Sequence, residues 1–321
     1  MAQLIEDIFH QALDNEWLRR GNDQAAFDVE GGRLVMTTDG YVISPIFFPG
    51  GDIGSLSVHG TINDIAMAGA RPRYLSASFI LEEGFPLADL KRVADSMGTA
   101  ARAAGVPVIT GDTKVVERGK ADGVFISTSG VGVIPAGVHV SVERARPGDR
   151  VILSGSLGDH GVAVMSRRHD LTFETEIVSD SAPLHELVAA MVAAGGEDLH
   201  AMRDPTRGGL AATLNEIAQQ AGIGIRLEEA AIAVAPAVSA ACELLGLDPL
   251  YVANEGKLVA FVAPRSAAPV LAAMRGHPLG RDAAIIGEAV ADEHRFVQMR
   301  TAFGGERIVD WLAGEQLPRI C

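Results

Sequence analysis

The sequence predicts two α/β or α+β domains, residues 1–147 and 148–313, followed by a flexible tail over 314–321. Three observations carry that expectation. The 321 residues are long for one domain and comfortable for two of about 150. Strand-like and helix-like periodicities alternate through both halves. A turn of the composition Arg146-Pro147-Gly148-Asp149 interrupts the alternation near the middle.

The elements follow in order. Leu4, Ile5, Ile8, Phe9, Ala12, Leu13 and Trp17 recur at helical spacing. Arg33–Thr38 and Tyr41–Phe47 read as strands on either side of Thr38-Asp39-Gly40, because Asp before Gly is a turn pair. A Pro/Gly corner over 47–52 leads to a helix, Leu56–Ala68, with Asn63 and Asp64 in its middle. Arg71-Pro72 breaks that helix, and Tyr74–Leu81 reads as a strand. Leu87, Leu90, Val93, Ala94, Met97, Ala101 and Ala104 mark a second amphipathic helix, closed by Gly105. A short strand, Val106–Ile109, runs into the loop-like Thr110-Gly111-Asp112-Thr113-Lys114, and Gly123–Ile134 completes the first half. In the second half, helices are predicted at Ala182–Ala194, Gly209–Ala221 and Pro236–Leu245. Strands are predicted at Arg150–Ser154, Ile223–Leu227, Leu258–Val262, Ala284–Val290 and Phe296–Arg300. Gly314–Cys321 contains Pro318 and has no period, so it reads as a tail.

Composition narrows the function classes. The 27 Lys and Arg against 41 Asp and Glu give −14, and so acidic a surface repels nucleic-acid backbones and anionic membrane surfaces. A nucleotide on this chain needs local cations and metal. No stretch approaches the roughly 20 apolar residues of a membrane span. Met1–Leu13 carries Glu6 and Asp7 where a secretory leader would be basic. Two cysteines exclude a disulfide framework and a four-thiolate zinc site, and the chain reads as a reduced cytoplasmic protein.

Neither standard nucleotide motif is present. Gly256-Lys257 is followed by Leu258, not Ser or Thr, and no Gly-x-Gly-x-x-Gly opens a helix after a strand. Four short segments nevertheless combine acids, amides or cations with glycine at element ends: Thr37–Gly40, Asn63-Asp64-Ile65, Thr110–Lys114 and Arg203–Gly209. Carboxylates at strand ends suit Mg²⁺, a hard ion that takes oxygen ligands and substrate phosphates. Gly208-Gly209 ahead of a helix offers backbone N–H groups and a positive dipole end to phosphate. Lys114, two residues after Asp112, is placed to neutralise charge in phosphoryl transfer. Each segment has a plainer explanation, a turn for Asp-Gly and a helix cap for Asp204. Function requires that the segments converge in space.

The chain end is the second informative feature. Cys321 is one of two cysteines and the last residue of the sequence, and no prenylation box surrounds it. A thiol on a tail is exposed to oxidation, which argues against idle placement. Cys242 falls at apolar helical spacing and reads as core. His160, in Gly158-Asp159-His160-Gly161, is either a general base or a structural turn histidine. Glu255, in Asn254–Leu258, is either a base or a loop acid paired with Lys257.

Together, Phe47-Phe48-Pro49-Gly50-Gly51, Gly111-Asp112-Thr113-Lys114-Val115-Val116, Gly158-Asp159-His160-Gly161, Arg207-Gly208-Gly209, Asn254-Glu255-Gly256-Lys257-Leu258 and Pro318-Arg319-Ile320-Cys321 closely resemble the HypE family of hydrogenase maturation proteins. The resemblance runs in order along essentially the whole chain. The terminal Pro-Arg-Ile-Cys with the Gly-Asp-Thr-Lys segment is specific to that family. One feature departs: the family's His-Gly-x-Gly-Gly segment has no counterpart between Met1 and the first helix.

The resemblance implies the two-domain aminoimidazole ribonucleotide synthetase-like fold, with N-terminal domains pairing into a homodimer β-barrel and ATP in a cleft. It implies an ATP-dependent carbamoyl dehydratase. A carbamoyl group placed on Cys321 by the carbamoyltransferase HypF becomes a protein thiocyanate, and its cyanide passes to iron in the HypC–HypD scaffold for a [NiFe]-hydrogenase. In that scheme Asp39, Asp64, Asp112 and Asp204 bind Mg²⁺, directly or through water. Asn63, Thr113, Thr206 and Arg207 belong to the nucleotide site, and Gly208 and Gly209 meet phosphate. Lys114 stabilises charge on the transferred group; Glu255 is the base, with His160 as the alternative. Two other readings compete: a superfamily kinase or synthetase acting on a free small substrate, and a non-catalytic scaffold carrying metal on Cys321.

Overall fold

The computed structural model describes residues 5–15, 32–171, 176–311 and 319–321. The N-terminal segment is helical, π-wound over Ile5–His10 and α-helical over Gln11–Leu13, and buries Ile8, Phe9 and Ala12. Leu4 and Trp17, assigned to the same helix from periodicity, lie outside the described residues, as do 314–318 of the expected tail.

Four strands form the first sheet, in the order β1-β6-β4-β5: β1 (Arg33–Tyr41), β4 (Arg71–Glu82), β5 (Val108–Val116) and β6 (Val124–Ile134). A small ribbon, β2 (Phe47–Phe48) and β3 (Gly51–Asp52), stands apart. Two expectations are corrected here. Thr38-Asp39-Gly40 is no turn: β1 runs through it, with Asp39 opposite Thr128 and Gly40 opposite Ser127. Gly40 lacks the positive φ that a hairpin Asp-Gly turn requires. Thr110–Lys114 is no loop either, since β5 continues to Val116 in parallel register with β4.

Helix α1 (Ile53–Met67) covers one face of this sheet together with α2 (Leu87–Ala104). It starts three residues before the first expected position because Asp52 makes a capping box. The Asp52 carboxylate accepts from Gly54 N at 2.8 Å and Ser55 N at 3.1 Å, and Ser55 Oγ accepts from Asp52 N at 3.1 Å. Gly105, at φ 67°, ends α2 in the left-handed region as predicted.

The second sheet has seven strands in the order β13-β12-β9-β11-β7-β10-β8. They are β7 (Arg150–Leu153), β8 (Leu199–Arg203), β9 (Gly224–Glu228), β10 (Val259–Val262), β11 (Ala284–Val290), β12 (Val297–Arg300) and β13 (Glu306–Ile308). The helices are α3 (Asp159–Arg168), α4 (His185–Gly195), α5 (Gly209–Ala221), α6 (Pro236–Leu245) and α7 (Pro264–Arg275). Period two divides its core: Val151, Leu153 and Phe261 pack with Leu210, Leu214 and Ile217 of α5, whereas Ile152 and Ala260 pack with α4 and α7. Strands β8 and β13 and helix α7 were not expected from the sequence.

The two layers share a seam. Ala66 and Met67 of α1 join the core beneath α4, while Val162 of α3 and Val238 and Cys242 of α6 join the core beneath α1 and α2.

Candidate active site

Along β1, Val35, Thr37, Asp39 and Tyr41 alternate with the outward Leu34, Met36 and Thr38 and face α1. Asp64, three turns along α1, meets them there: Thr37 Oγ1 donates to Asp64 Oδ2 at 2.8 Å. The seam brings in two further loops. One follows β8 and carries Asp204, Thr206 and Arg207; the other precedes β10 and carries Glu255. Asp39, Asp64, Asp204, Thr206, Arg207 and Glu255 line one cleft of about 290 Å³.

Two asparagines build the walls. Asn254 accepts from Gly158 N at 2.8 Å and donates to Pro205 O at 3.1 Å, so it ties the β7–α3 loop to the Asp204 loop beside Glu255. Asn63 donates to Ala182 O at 3.1 Å and Glu255 O at 3.2 Å and accepts from Leu184 N at 2.8 Å. Both N–H donors of Asn63 are thus engaged in the seam, and its oxygen accepts one bond there. Sequence reasoning gave no role to Asn254 or to Asp180. Asp180 pairs with Lys257 at 2.9 Å and accepts from Glu255 N at 3.1 Å, which removes Lys257 as a partner for the Glu255 carboxylate.

The electrostatics are those of crowded acids. Glu255 is 3% exposed, its Oε1 is buried with no hydrogen-bond partner, and burial followed by Asp204 and Asp180 holds its pKa well above the carboxylate range. Burial, then the charge of Asp64, pushes Asp204 up to about 7. Asp64 is also raised, by burial more than by Asp39, against the Thr37 hydrogen bond. Such a cluster favours a cation. Among the described residues no three His, Cys, Asp or Glu groups form a ready cage. Mg²⁺ keeps several waters and needs only one or two carboxylates besides phosphate oxygens, so Asp39, Asp64 and Asp204 fit it.

Gly208 and Gly209, at φ 77° and 62°, turn the chain into α5. A Cβ on Gly209 would stand 2.5 Å from Leu250 O and 2.7 Å from Val252 O, so only glycine allows this approach. The helix opens just after Thr206 and Arg207, which line the cleft, whereas Gly208 and Gly209 are not among the residues lining it.

Asp112, Thr113 and Lys114 are not brought to this cleft within one chain. Asp112 aligns across the sheet with Ser78, Ser127 and Gly40, which puts it on the face opposite Asp39 and three strand spacings away, ~14 Å. Asp112 and Lys114 form an exposed ion pair of 3.0 Å on the far edge strand. Lys114 and the Thr113 N–H hold the Asp112 pKa below the usual range.

The end of the chain enters the same cleft. Val42 N donates to Cys321 O at 3.1 Å and Ser44 N to Arg319 O at 3.2 Å, and Arg319, Ile320 and Cys321 line the pocket with the acids. The chain is therefore packed at its end, where a flexible tail was expected: Ile320 is 2% exposed and belongs to the core of the first layer. His160 is fully buried, with Ser179 Oγ at 2.8 Å from Nδ1 and Ile320 O at 2.9 Å from Nε2. Burial lowers its pKa, against the nearby Asp180.

Residues 21–134 match the family described as AIR synthase related protein, N-terminal domain, and residues 146–300 its C-terminal domain. The carbamoyl dehydratase HypE of Bradyrhizobium diazoefficiens is 75% identical over the whole of this chain and 93% of its own length. The chain belongs to the HypE family. A crystal structure of the hydrogenase maturation protein HypE in complex with ATP is 50% identical, with TM-score 0.96 over 100% of this chain and 96% of that one. A HypE–HypF complex superposes with TM-score 0.85 at 48% identity, over 96% of this chain and 99% of that one. The HypE-family fold, two-layered and AIR synthase-like, is thus the one that the chain adopts. No helix among the described residues is long and apolar enough to cross a membrane.

Proposed function

We propose that this chain is the ATP-dependent carbamoyl dehydratase of a [NiFe]-hydrogenase maturation system, acting on a carbamoyl group carried by its own Cys321. The observation that carries the reading is the cleft itself: Cys321 lines it together with Asp39, Asp64, Asp204 and the orphaned carboxyl of Glu255. A family resemblance supplies the reaction, and the cleft supplies groups suited to each step.

Dehydration needs the carbamoyl oxygen made into a leaving group. That oxygen attacks the γ-phosphorus of ATP, ADP leaves, and nitrogen loses one proton to give an O-phosphoryl imidate. The second N–H proton then goes to a base as the C–O bond breaks, releasing phosphate and leaving S–C≡N. Glu255 is the proposed base, since a raised pKa brings a carboxylate toward the operating range of proton transfer. Gly208, Gly209 and the start of α5 cradle phosphate, with Thr206 and Arg207 beside them. Asp39, Asp64 and Asp204 are the proposed holders of Mg²⁺, which when bound neutralises phosphate charge.

Lys114 and Asp112 enter through a second copy. The open face of the first sheet exposes Leu34 by 63% and Met36 by 71%, an apolar surface suited to another protomer. Two such sheets closing into a barrel bring β5 of one copy beside β1 of the other, and so its Asp112, Thr113 and Lys114 toward the cleft. We further propose a boundary at residue 147, HypF as donor of the carbamoyl group, HypC–HypD as acceptor of cyanide, and the reducing cytoplasm as setting, which keeps Cys321 a thiol.

Intact mass after incubation with a carbamoyltransferase, carbamoyl phosphate and ATP tests this. Wild type gains about 43 Da and then settles about 25 Da above its starting mass, whereas Lys114→Ala and Glu255→Ala stop at the first species. Cys321→Ala folds and gains neither. Adducts on Cys242, or no adduct at all, overturn the reading.

A further inference from the structure

The end of the chain is held through three successive carbonyls. Those of Arg319 and Cys321 point to the segment after β1, accepting from Ser44 N and Val42 N in antiparallel register. That of Ile320 points the other way, to His160 Nε2 at 2.9 Å, where a third strand would have presented its N–H. Arg168 closes the clamp from α3, its Nη2 donating to Arg319 O at 2.8 Å and to Ser44 O at 2.6 Å.

Main-chain pairing alone does not choose a register, and a slip of one residue would turn the cysteine out of the cleft. Ile320 and His160 make the choice. The Ile320 side chain is buried in the first core, and its carbonyl meets a histidine whose protonation pattern the neighbours dictate. A carbonyl only accepts, so Nε2 carries the hydrogen. Ser179 Oγ already accepts from Ser181 N at 3.1 Å, leaving its own hydrogen for Nδ1. Both ring nitrogens are spent, and His160 does not line the cleft.

We propose that His160 is a positioning residue, not a base: it donates from Nε2 to the Ile320 carbonyl and sets the register that delivers Cys321 to the cleft. Ser179 fixes the tautomer, and Phe48 braces the ring edge-on at a centroid distance of 5.4 Å. The functional consequence rests on Cys321 being the carrier; the docking itself does not.

The test uses the full chain and reads the alkylation rate of Cys321 by iodoacetamide without nucleotide, with Cys321→Ala giving the background from buried Cys242. His160→Phe keeps the shape and loses the hydrogen bond, and Cys321 should react about tenfold faster. His160→Gln restores an N–H donor and should stay within about threefold of wild type. Ser179→Ala should react faster by a smaller factor, and supplies the answer should His160→Phe not fold. On chains already carbamoylated, His160→Phe should lose dehydration rate by about the same factor as it gains alkylation rate, while its carbamoylation is undiminished. Unchanged alkylation in both His160→Phe and Ser179→Ala overturns the proposal. A His160→Gln chain that is protected yet inactive in dehydration overturns it too, by making His160 a base. Alkylation responds whether or not any adduct forms on wild type, so failure of the dehydratase reading is seen separately.

Discussion

Asn63→Leu keeps the branched heavy-atom skeleton of the asparagine side chain and removes its polar atoms, which makes it the sharpest probe of the seam. In the native chain Asn63 satisfies Ala182 O, Glu255 O and Leu184 N at 2.8–3.2 Å while itself being 1% exposed. Leucine leaves Ala182 O and Leu184 N without that partner in a dry seam, at about 1–3 kcal/mol each. Glu255 O fares better because it keeps a 3.5 Å contact from Ala182 N, so its loss counts for less. The expected destabilisation is about 4 kcal/mol, seen as a fall of about 6 °C in the unfolding midpoint of a chain this long. Thermal unfolding followed by circular dichroism, together with ATP binding by calorimetry at a temperature where both proteins are folded, separates the possibilities. A midpoint within 2 °C of wild type combined with lost ATP affinity would refute the seam role and make Asn63 a nucleotide contact after all.

Two further outcomes are open to measurement. His59, beside Ser181 Oγ at 3.0 Å and facing His185, is lowered by burial to about 4, so the unfolded chain binds its proton first as pH falls. Stability should therefore decline by about 1.4 kcal/mol per unit as pH drops below 6.5 and level off near 4, with His59→Gln removing that part of the slope in denaturant titrations. Gly209→Ala should lose about 2–4 kcal/mol and most ATP affinity, because its Cβ meets two carbonyls at a positive φ; wild-type nucleotide binding would make that turn irrelevant to phosphate.

Much of the fold was legible. The α2 stripe, its Gly105 cap and the Gly209 start of α5 follow from spacing and capping chemistry, which act within a few residues. The errors fall where one local signal has two tertiary meanings. Asp39-Gly40 and Gly111-Asp112 look like turns, yet both lie inside strands, because sheet pairing overrides a weak turn preference. The site was legible as a list of segments and not as a place. Asp39 and Asp112 carry the same kind of motif, and only the face and order of the strands put one in the cleft and the other on the far edge. Asn63 was singled out for a nucleotide, but its seam contacts, like those of Asn254 and Asp180, left no trace in the sequence, since they satisfy backbone groups distant along the chain. His160 was noticed for its chemistry, but the partner that defines it, Ile320, is 160 residues away.

A docked end that is part of the chain behaves as a ligand at its own fixed local concentration. Tethered segments typically face their sites at an effective concentration in the millimolar range. A free peptide ending in the same Pro-Arg-Ile-Cys offers identical carbonyls and the same isoleucine, yet below that range it cannot displace the resident one. Dilution does not empty the cleft either, because occupancy is set by a first-order equilibrium independent of protein concentration. Any macromolecule that takes Cys321 away must therefore win it with contacts made elsewhere, on a surface of its own, and must release it for the end to return.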